Sequence, residues 1–236
     1  MLTQNLDNLL KTGKILYDNY YFNKKGIFGR TEMPGESLPK GIKRGSIKHQ
    51  LFITLILSIN YLKDAHKLWD SARNAYNSEY QYIFDLEELK EKDENIIADD
   101  LRTTGISPRF YKKDAHIIKT VGSSLIKEFN GNPEKIFSQV NYKGDEALKL
   151  LRSSRYKKKF PFLKGKKIGP LWIRALKNFC DLPVDLSGIP IAVDVHIARG
   201  TFTLGGLTGK YNGTIPKIRR DIEELWFKVA EKLTSR

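Results

Sequence analysis

The segment Ile189-Pro190-Ile191-Ala192-Val193-Asp194-Val195-His196-Ile197-Ala198-Arg199 sets one carboxylate among apolar residues at the expected entrance of a helix. Two roles suit such an aspartate. It can cap the helix, accepting from backbone N–H groups two or three residues later. It can also be a catalytic carboxylate, held in a partly dry cleft where it acts strongly on developing positive charge. The roles are compatible, because a capping aspartate is held rigidly. Upstream, Leu163-Lys164-Gly165-Lys166-Lys167-Ile168-Gly169-Pro170-Leu171-Trp172-Ile173 lies between two expected helices. Glycines flanking an apolar residue just before a helix make a tight turn whose backbone N–H groups can face an anion. The helix N-terminus adds partial positive charge, so a phosphate can bind there without any sequence being read. Pro170 suits the first helical position, where a missing N–H costs nothing. Glycine turns are also common in helical hairpins that bind nothing, so a purely structural turn stays open.

Charge points the same way. The chain has 236 residues, with 41 Lys and Arg against 27 Asp and Glu, a formal charge of +14. The excess is local. From Ala147 to Lys177 there is no acid, while Lys149, Arg152, Arg155, Lys157, Lys158, Lys159, Lys164, Lys166, Lys167, Arg174 and Lys177 all fall inside. A second cluster, Lys40, Lys43, Arg44 and Lys48, surrounds a glycine-rich loop. Such a stripe is either a solvated face or a grip on phosphates, and phosphate neutralisation is its commonest use.

Glycine hairpin, helix and Val-Asp-x-His-x-x-Arg together resemble the helix-hairpin-helix (HhH-GPD) DNA glycosylase superfamily, which includes endonuclease III. Ala192 to Arg199 is similar to endonuclease III around its catalytic aspartate. Leu51-Phe52-Ile53-Thr54-Leu55-Ile56-Leu57-Ser58-Ile59-Asn60 looks like the family's early helix, which ends in Leu-Ser-x-Gln and whose amide fills the hole left by the extruded nucleotide. The stretch from Leu101 to Pro133 follows the family's mid-domain pattern, so the likeness covers about residues 47–203.

The resemblance implies an enzyme that bends duplex DNA, flips a damaged nucleotide from the stack and hydrolyses its N-glycosidic bond. Breaking that bond develops oxocarbenium-like charge on the sugar. Asp194 would stabilise it and orient the water. Gly165, Gly169 and Pro170 would hold a phosphate beside the lesion, with Lys164, Lys166 and Lys167 adding charge. Asn60 would be the amide nearest the gap, with Ile59 there in a neighbouring alignment. Three departures matter. Bifunctional members carry a Schiff-base lysine two residues after the second hairpin glycine, and here that position is Leu171. A leucine cannot attack C1′, so the simplest expectation is a monofunctional glycosylase using water. The hairpin is about two residues longer than the family's, so Lys166 or Lys167 could reach the same point and give lyase activity. The four-cysteine iron–sulfur loop is absent, since Cys180 stands alone. Trp172 begins a helix where the family has a small residue, and it either lines the base pocket or packs. A non-catalytic DNA-binding protein on the same scaffold is the alternative from another class.

Other residues have plainer roles. His196, two positions after Asp194, points away from it on a helix and reads as structural. His49, His66 and His116 show no metal spacing, and no metal or cofactor is expected. Trp69, Tyr61 and Tyr76 read as core, although a base pocket needs some aromatic wall, for which Trp69 and Trp172 are candidates. Arg199 meets either a carboxylate or a phosphate.

The elements that must position these residues read as helices joined by polar loops. Apolar spacing predicts helices over 5–21, 47–60 (capped by Ser46), 64–77, 86–89, 94–104, 107–129, 144–154, 170–179, 193–204 and 216–233. No strand pattern of useful length occurs, so the class is all-α. The long loop from Phe22 to Ser46 suggests function. Two helical lobes are expected, one of residues 45–177 with the hairpin, the other of 1–44 plus 178–236, with the active cleft between them and Asp194 facing the hairpin. Hydrophobic content of 40% and aromatic content of 11% suit an ordinary soluble globule. One cysteine excludes an internal disulfide framework. The longest apolar run, Leu51 to Ile59, is too short to span a bilayer, and the N-terminus lacks the order of a secretory signal. The expected setting is a reducing cytoplasm, at the nucleoid in a prokaryote, with the chain a monomer on double-stranded DNA and off membranes.

Overall fold

The computed structural model describes residues 2–23, 33–210 and 214–234, and these form an all-α protein. Gly26 and Gly29 of the long loop lie outside them. Contacts divide the chain into two compact units, one of residues 33–189 and one of the described parts of 1–32 and 190–236.

The larger unit is built round α2 (Ile47–Ser58). Its run of Leu, Phe and Ile is apolar on every side, which is the pattern of a helix enclosed by others rather than lying on a surface. Leu51 through Ile59 are all buried. Thr54 and Ser58 are accommodated because each hydroxyl donates to a carbonyl of its own helix, Gln50 and Leu55, both at 2.6 Å. Against it pack α3 (Ala65–Tyr76), α6 (Tyr111–Phe129) and α9 (Ile168–Cys180), while α4 (Leu86–Glu91) and α5 (Glu94–Thr103) pack on α6, and α7 (Glu134–Ser138) and α8 (Gly144–Arg152) complete the unit. Side-chain caps start several of these helices: Ser46, Asp64, Asp85 and Asp93 each accept from an N–H two or three residues later. Gly105 (φ +75°) and Asn130 (φ +50°) supply the left-handed backbone that ends α5 and α6.

Helix α6 opens at Tyr111, not at the expected Ser107-Pro108. Ser107 is fully buried and its hydroxyl donates to Asp114 at 2.6 Å, so the residue works as an anchor for the turn and not as a cap. The segments 33–44 and 178–189, expected with the other lobe, pack in this unit. Arg44 ion-pairs with Asp181 at 2.7 Å, and Gly35 lies against Phe179 and Trp69.

The smaller unit pairs α1 (Leu6–Asp18) with α11 (Ile215–Thr234), and α10 (Val195–Thr203) packs on α11. Leu9, Val193, Ala198, Ile218, Ile222, Leu225 and Val229 form its core. Gly13 lets the first pair approach, since a Cβ there would sit 2.7 Å from Val229 Cγ1. A short antiparallel ladder joins Leu2–Gln4 (β1) to Leu207–Gly209 (β2). Three-residue strands carry too little alternation to stand out in a sequence.

Candidate active site

Asp194 is the N-cap of α10. Its Oδ1 accepts from His196 N at 2.9 Å and Ile197 N at 3.1 Å, and the side chain is half-buried. The residue before it is fixed as well. Arg219 of α11 donates to the Val193 carbonyl at 3.1 Å, and Trp226 Nε1 donates to Thr201 Oγ1 at 2.9 Å, tying the far end of α10 to the same helix. Buried Val193 and Ala198 press this segment into the small core. The carboxylate is thus held from the backbone side by two donors and from below by packing. His196 and Arg199 are exposed on α10, and Arg199 meets no carboxylate among the described residues.

The hairpin connects α8 to α9 through turns over residues 153–167. Tyr156, Phe160 and Leu163 are buried under it, so this basic stretch is anchored by its own apolar residues. Its left-handed residue is Phe162 (φ +61°), where neither hairpin glycine is required. The glycines serve close approach. A Cβ on Gly169 would lie 2.5 Å from the Leu163 carbonyl oxygen and 2.6 Å from Leu148 Cδ2, and one on Gly165 would lie 2.8 Å from the Phe162 oxygen. Both glycine N–H groups are used internally, Gly165 to Phe162 O and Gly169 to Gly165 O. The N–H groups of Lys166 and Ile168 meet no acceptor among the described residues, so both are donors the turn offers beside the start of α9. Helix α9 begins at Ile168, two residues before the expected Pro170. Pro170 is therefore the third helical residue, still within the first turn, where N–H groups have no intrahelical acceptor. Lys166 and Lys167 are exposed beside this end, and Leu171 is half-buried within the helix.

The cations of the acid-free run are mostly occupied. Lys149 pairs with Asp145 and Glu146, and Arg155 and Lys159 both pair with Glu128, whose carboxyl they hold below its ordinary range. Arg152 donates to Lys164 O, Arg174 to Ile189 O and Lys177 to Val184 O. Lys164, expected on a phosphate, donates instead to the Lys157 carbonyl. Lys157, Lys158 and Lys166 are exposed and pair with no acid among the described residues.

Two base-pocket candidates are core residues. Trp172 is fully buried, packs on Phe137 with ring centres 5.2 Å apart, and donates its indole N–H to Thr54 Oγ1 at 3.0 Å. Trp69 is buried against Phe52. Neither has a face left for a base. Asn60 is half-buried just past the end of α2, whereas Ile59, its alternative, is wholly enclosed.

One feature beside Asn60 carries no sequence motif. Phe110, Tyr61 and Phe162 form a ladder with centroid spacings of 5.4 Å and 4.9 Å, and the Lys113 ammonium lies over Tyr61 and Phe162. Lys63, almost wholly buried, pairs with Asp114, and burial lowers its pKa from the ordinary lysine value. The three rings come from three separate turns, so nothing in their spacing announces them. Among the described residues no helix is long and apolar enough to cross a membrane, and no group of three or more His, Cys, Asp or Glu side chains could hold a metal. No protein-family model matches the chain, and no curated protein matches it.

Proposed function

We propose that this protein is a DNA glycosylase of base excision repair, acting on a damaged base flipped out of double-stranded DNA. The observation that carries the reading is Asp194: a half-buried carboxylate fixed by two backbone donors at a helix start, in the segment that resembles the endonuclease III catalytic aspartate. In the proposed reaction water forms a bond to C1′, the N-glycosidic bond breaks with its electrons leaving on the base, one proton of the water ends on that base, and Asp194 stabilises the positive charge that develops on the sugar. The hairpin would hold a phosphate through the N–H groups of Lys166 and Ile168 and the exposed Lys166 and Lys167 side chains.

Hydrolysis by water is the favoured chemistry because Leu171 occupies the position of the family's Schiff-base lysine. The second reading, a glycosylase with lyase activity, draws on the exposure of Lys166 and Lys167 beside the start of α9. Duplexes carrying uracil, an alkylated purine, 8-oxoguanine or hypoxanthine test both. Strand cleavage only after alkali is the expected result. Cleavage without alkali, with a borohydride-trapped complex lost in Lys166→Ala or Lys167→Ala, would replace hydrolysis by the lyase reading. Duplex binding with no base release on the whole panel would leave a non-catalytic DNA-binding protein.

A further inference from the structure

The turns after α2 and α5 border a cavity of about 370 Å³ in the larger unit, within the size range of small-ligand sites. Lys63 is one of its lining residues, and the Lys63 side chain is only 9% exposed. A buried ammonium is costly unless its three N–H groups find acceptors. Among the described residues it has one, Oδ2 of Asp114. Asp114 is itself fully enclosed and accepts from the Ser107 hydroxyl on that same oxygen at 2.6 Å, so the ion pair is fixed in place. The ammonium is thus held still with two donors to spare. Burial pulls the Lys63 pKa down, and a second anion beside it would offset that cost.

The rest of the lining says which anion fits. Lys67 and Arg109 are exposed, and neither pairs with a carboxylate among the described residues. The one acid of the lining, Asp64, is occupied as the cap of α3, its Oδ1 accepting from Lys67 N at 3.1 Å. Leu68 and Ile106, both buried, supply apolar wall. Three cations against one acid favour a negative ligand, and the apolar wall favours one with an apolar body. A backbone phosphate of a duplex is flanked by sugars on both sides. It can meet Lys67 and Arg109 from outside, but it does not fit into a recess leading to an ammonium so fully covered. We infer that this cavity binds a small organic carboxylate, its two oxygens on the open N–H groups of Lys63 and its apolar body against Leu68 and Ile106. Lys67 and Arg109 draw it in. A carboxylate is favoured over a phosphate because its single charge costs less to take out of water. The inference stands apart from the glycosylase reading, since no DNA enters it.

The test uses the full chain and calorimetric titration with octanoate, acetate, octanol and octyl phosphate. Octanoate should bind about tenfold or more tightly than acetate, which lacks the apolar body, and than octanol, which lacks the charge. It should also protect Lys63 from reductive methylation, read by mass spectrometry, while exposed Lys166 goes on reacting. Lys63→Met combined with Asp114→Asn removes both charges of the pair, so no buried charge is left alone, and should weaken octanoate about tenfold. Lys67→Ala with Arg109→Ala, both surface positions, should weaken it severalfold and leave the thermal midpoint in place. If the buried double variant does not fold, methylation of the unaltered protein and the surface variant decide. Equal affinity for octanoate and octanol, tighter binding of octyl phosphate than of octanoate, or a Lys63 left unprotected overturns the inference. Base release from a lesion duplex, measured without octanoate, tests the glycosylase reading separately.

Discussion

Replacing Asp194 by asparagine leaves an oxygen where His196 and Ile197 donate, because Asn caps a helix about as well as Asp. Replacing it by alanine removes the acceptor altogether. The pair of variants therefore separates cap from chemistry. Asp194→Ala should lose ~1 kcal/mol of stability, and Asp194→Asn nearly none. Both should lower single-turnover base release on the order of a hundredfold or more, as removal of one fixed charge-stabilising group does elsewhere. An Asp194→Asn protein with full release would remove the carboxylate from the mechanism. His49 makes a second prediction at this scale. It is buried on α2, its Nδ1 accepts from Gly45 N at 3.1 Å, and its Nε2 has no partner among the described residues. Burial, helped by nearby Arg44, lowers its pKa from 6.5 to about 4. Between those values the unfolded chain holds a proton that the folded chain does not, so stability falls as pH drops from 6.5 and the loss levels off near 4. The full loss is ~3 kcal/mol. Thermal midpoints measured from pH 7 to pH 4 should show this decline, and His49→Gln should flatten it.

Helix α9 and its approach turn are held by a contact that a glycine alone permits. At Gly169 any Cβ meets a backbone oxygen and the Leu148 side chain, and the oxygen cannot rotate away. Gly169→Ala must push the Leu163 turn off α9, at about 1–3 kcal/mol, and the shift should misalign the Lys166 and Ile168 donors. The expected outcome is a midpoint lower by several degrees together with weaker duplex binding. Unchanged binding in a destabilised protein would show that the turn is structural only. The elements themselves were legible from apolar spacing and caps: α2, α3, α5 and α10 start within a residue or two of their expected positions because Ser46, Asp64, Asp93 and Asp194 do what capping residues do. What escaped is what depends on distant partners. Ser107-Pro108 reads as a helix start until Asp114 claims the Ser107 hydroxyl, and the 79–84 turn and the two short strands are too brief for any period to form. The aspartate and the hairpin could be found in the sequence because their chemistry is local. The ladder of Tyr61, Phe110 and Phe162 could not, since three turns must first be folded together.

Across the whole molecule, a charge of +14 and an acid-free run of eleven cations suggest a broad grip on phosphate. Folding narrows it. Lys149, Arg155 and Lys159 are drawn onto acids that lie outside the run in sequence, and Arg152, Lys164, Arg174 and Lys177 are spent on backbone carbonyls that hold the turns in place. The stretch is basic partly because an irregular segment needs donors for carbonyls that no helix satisfies. Lys157, Lys158 and Lys166 are exposed and pair with no acid among the described residues, and each phosphate neutralised contributes a slope of about −0.9 to log affinity against log salt. Substituting all three by alanine should make the measured slope shallower by about three and weaken lesion and undamaged duplexes alike, since phosphate contacts carry no sequence. The matching replacement of Lys149, Arg155 and Lys159 should lower the thermal midpoint and leave the slope nearly unchanged. If the second set moved the slope as much as the first, their ion pairs with Asp145, Glu146 and Glu128 would have to open on DNA, and the grip would be the wide one that the bare sequence suggests.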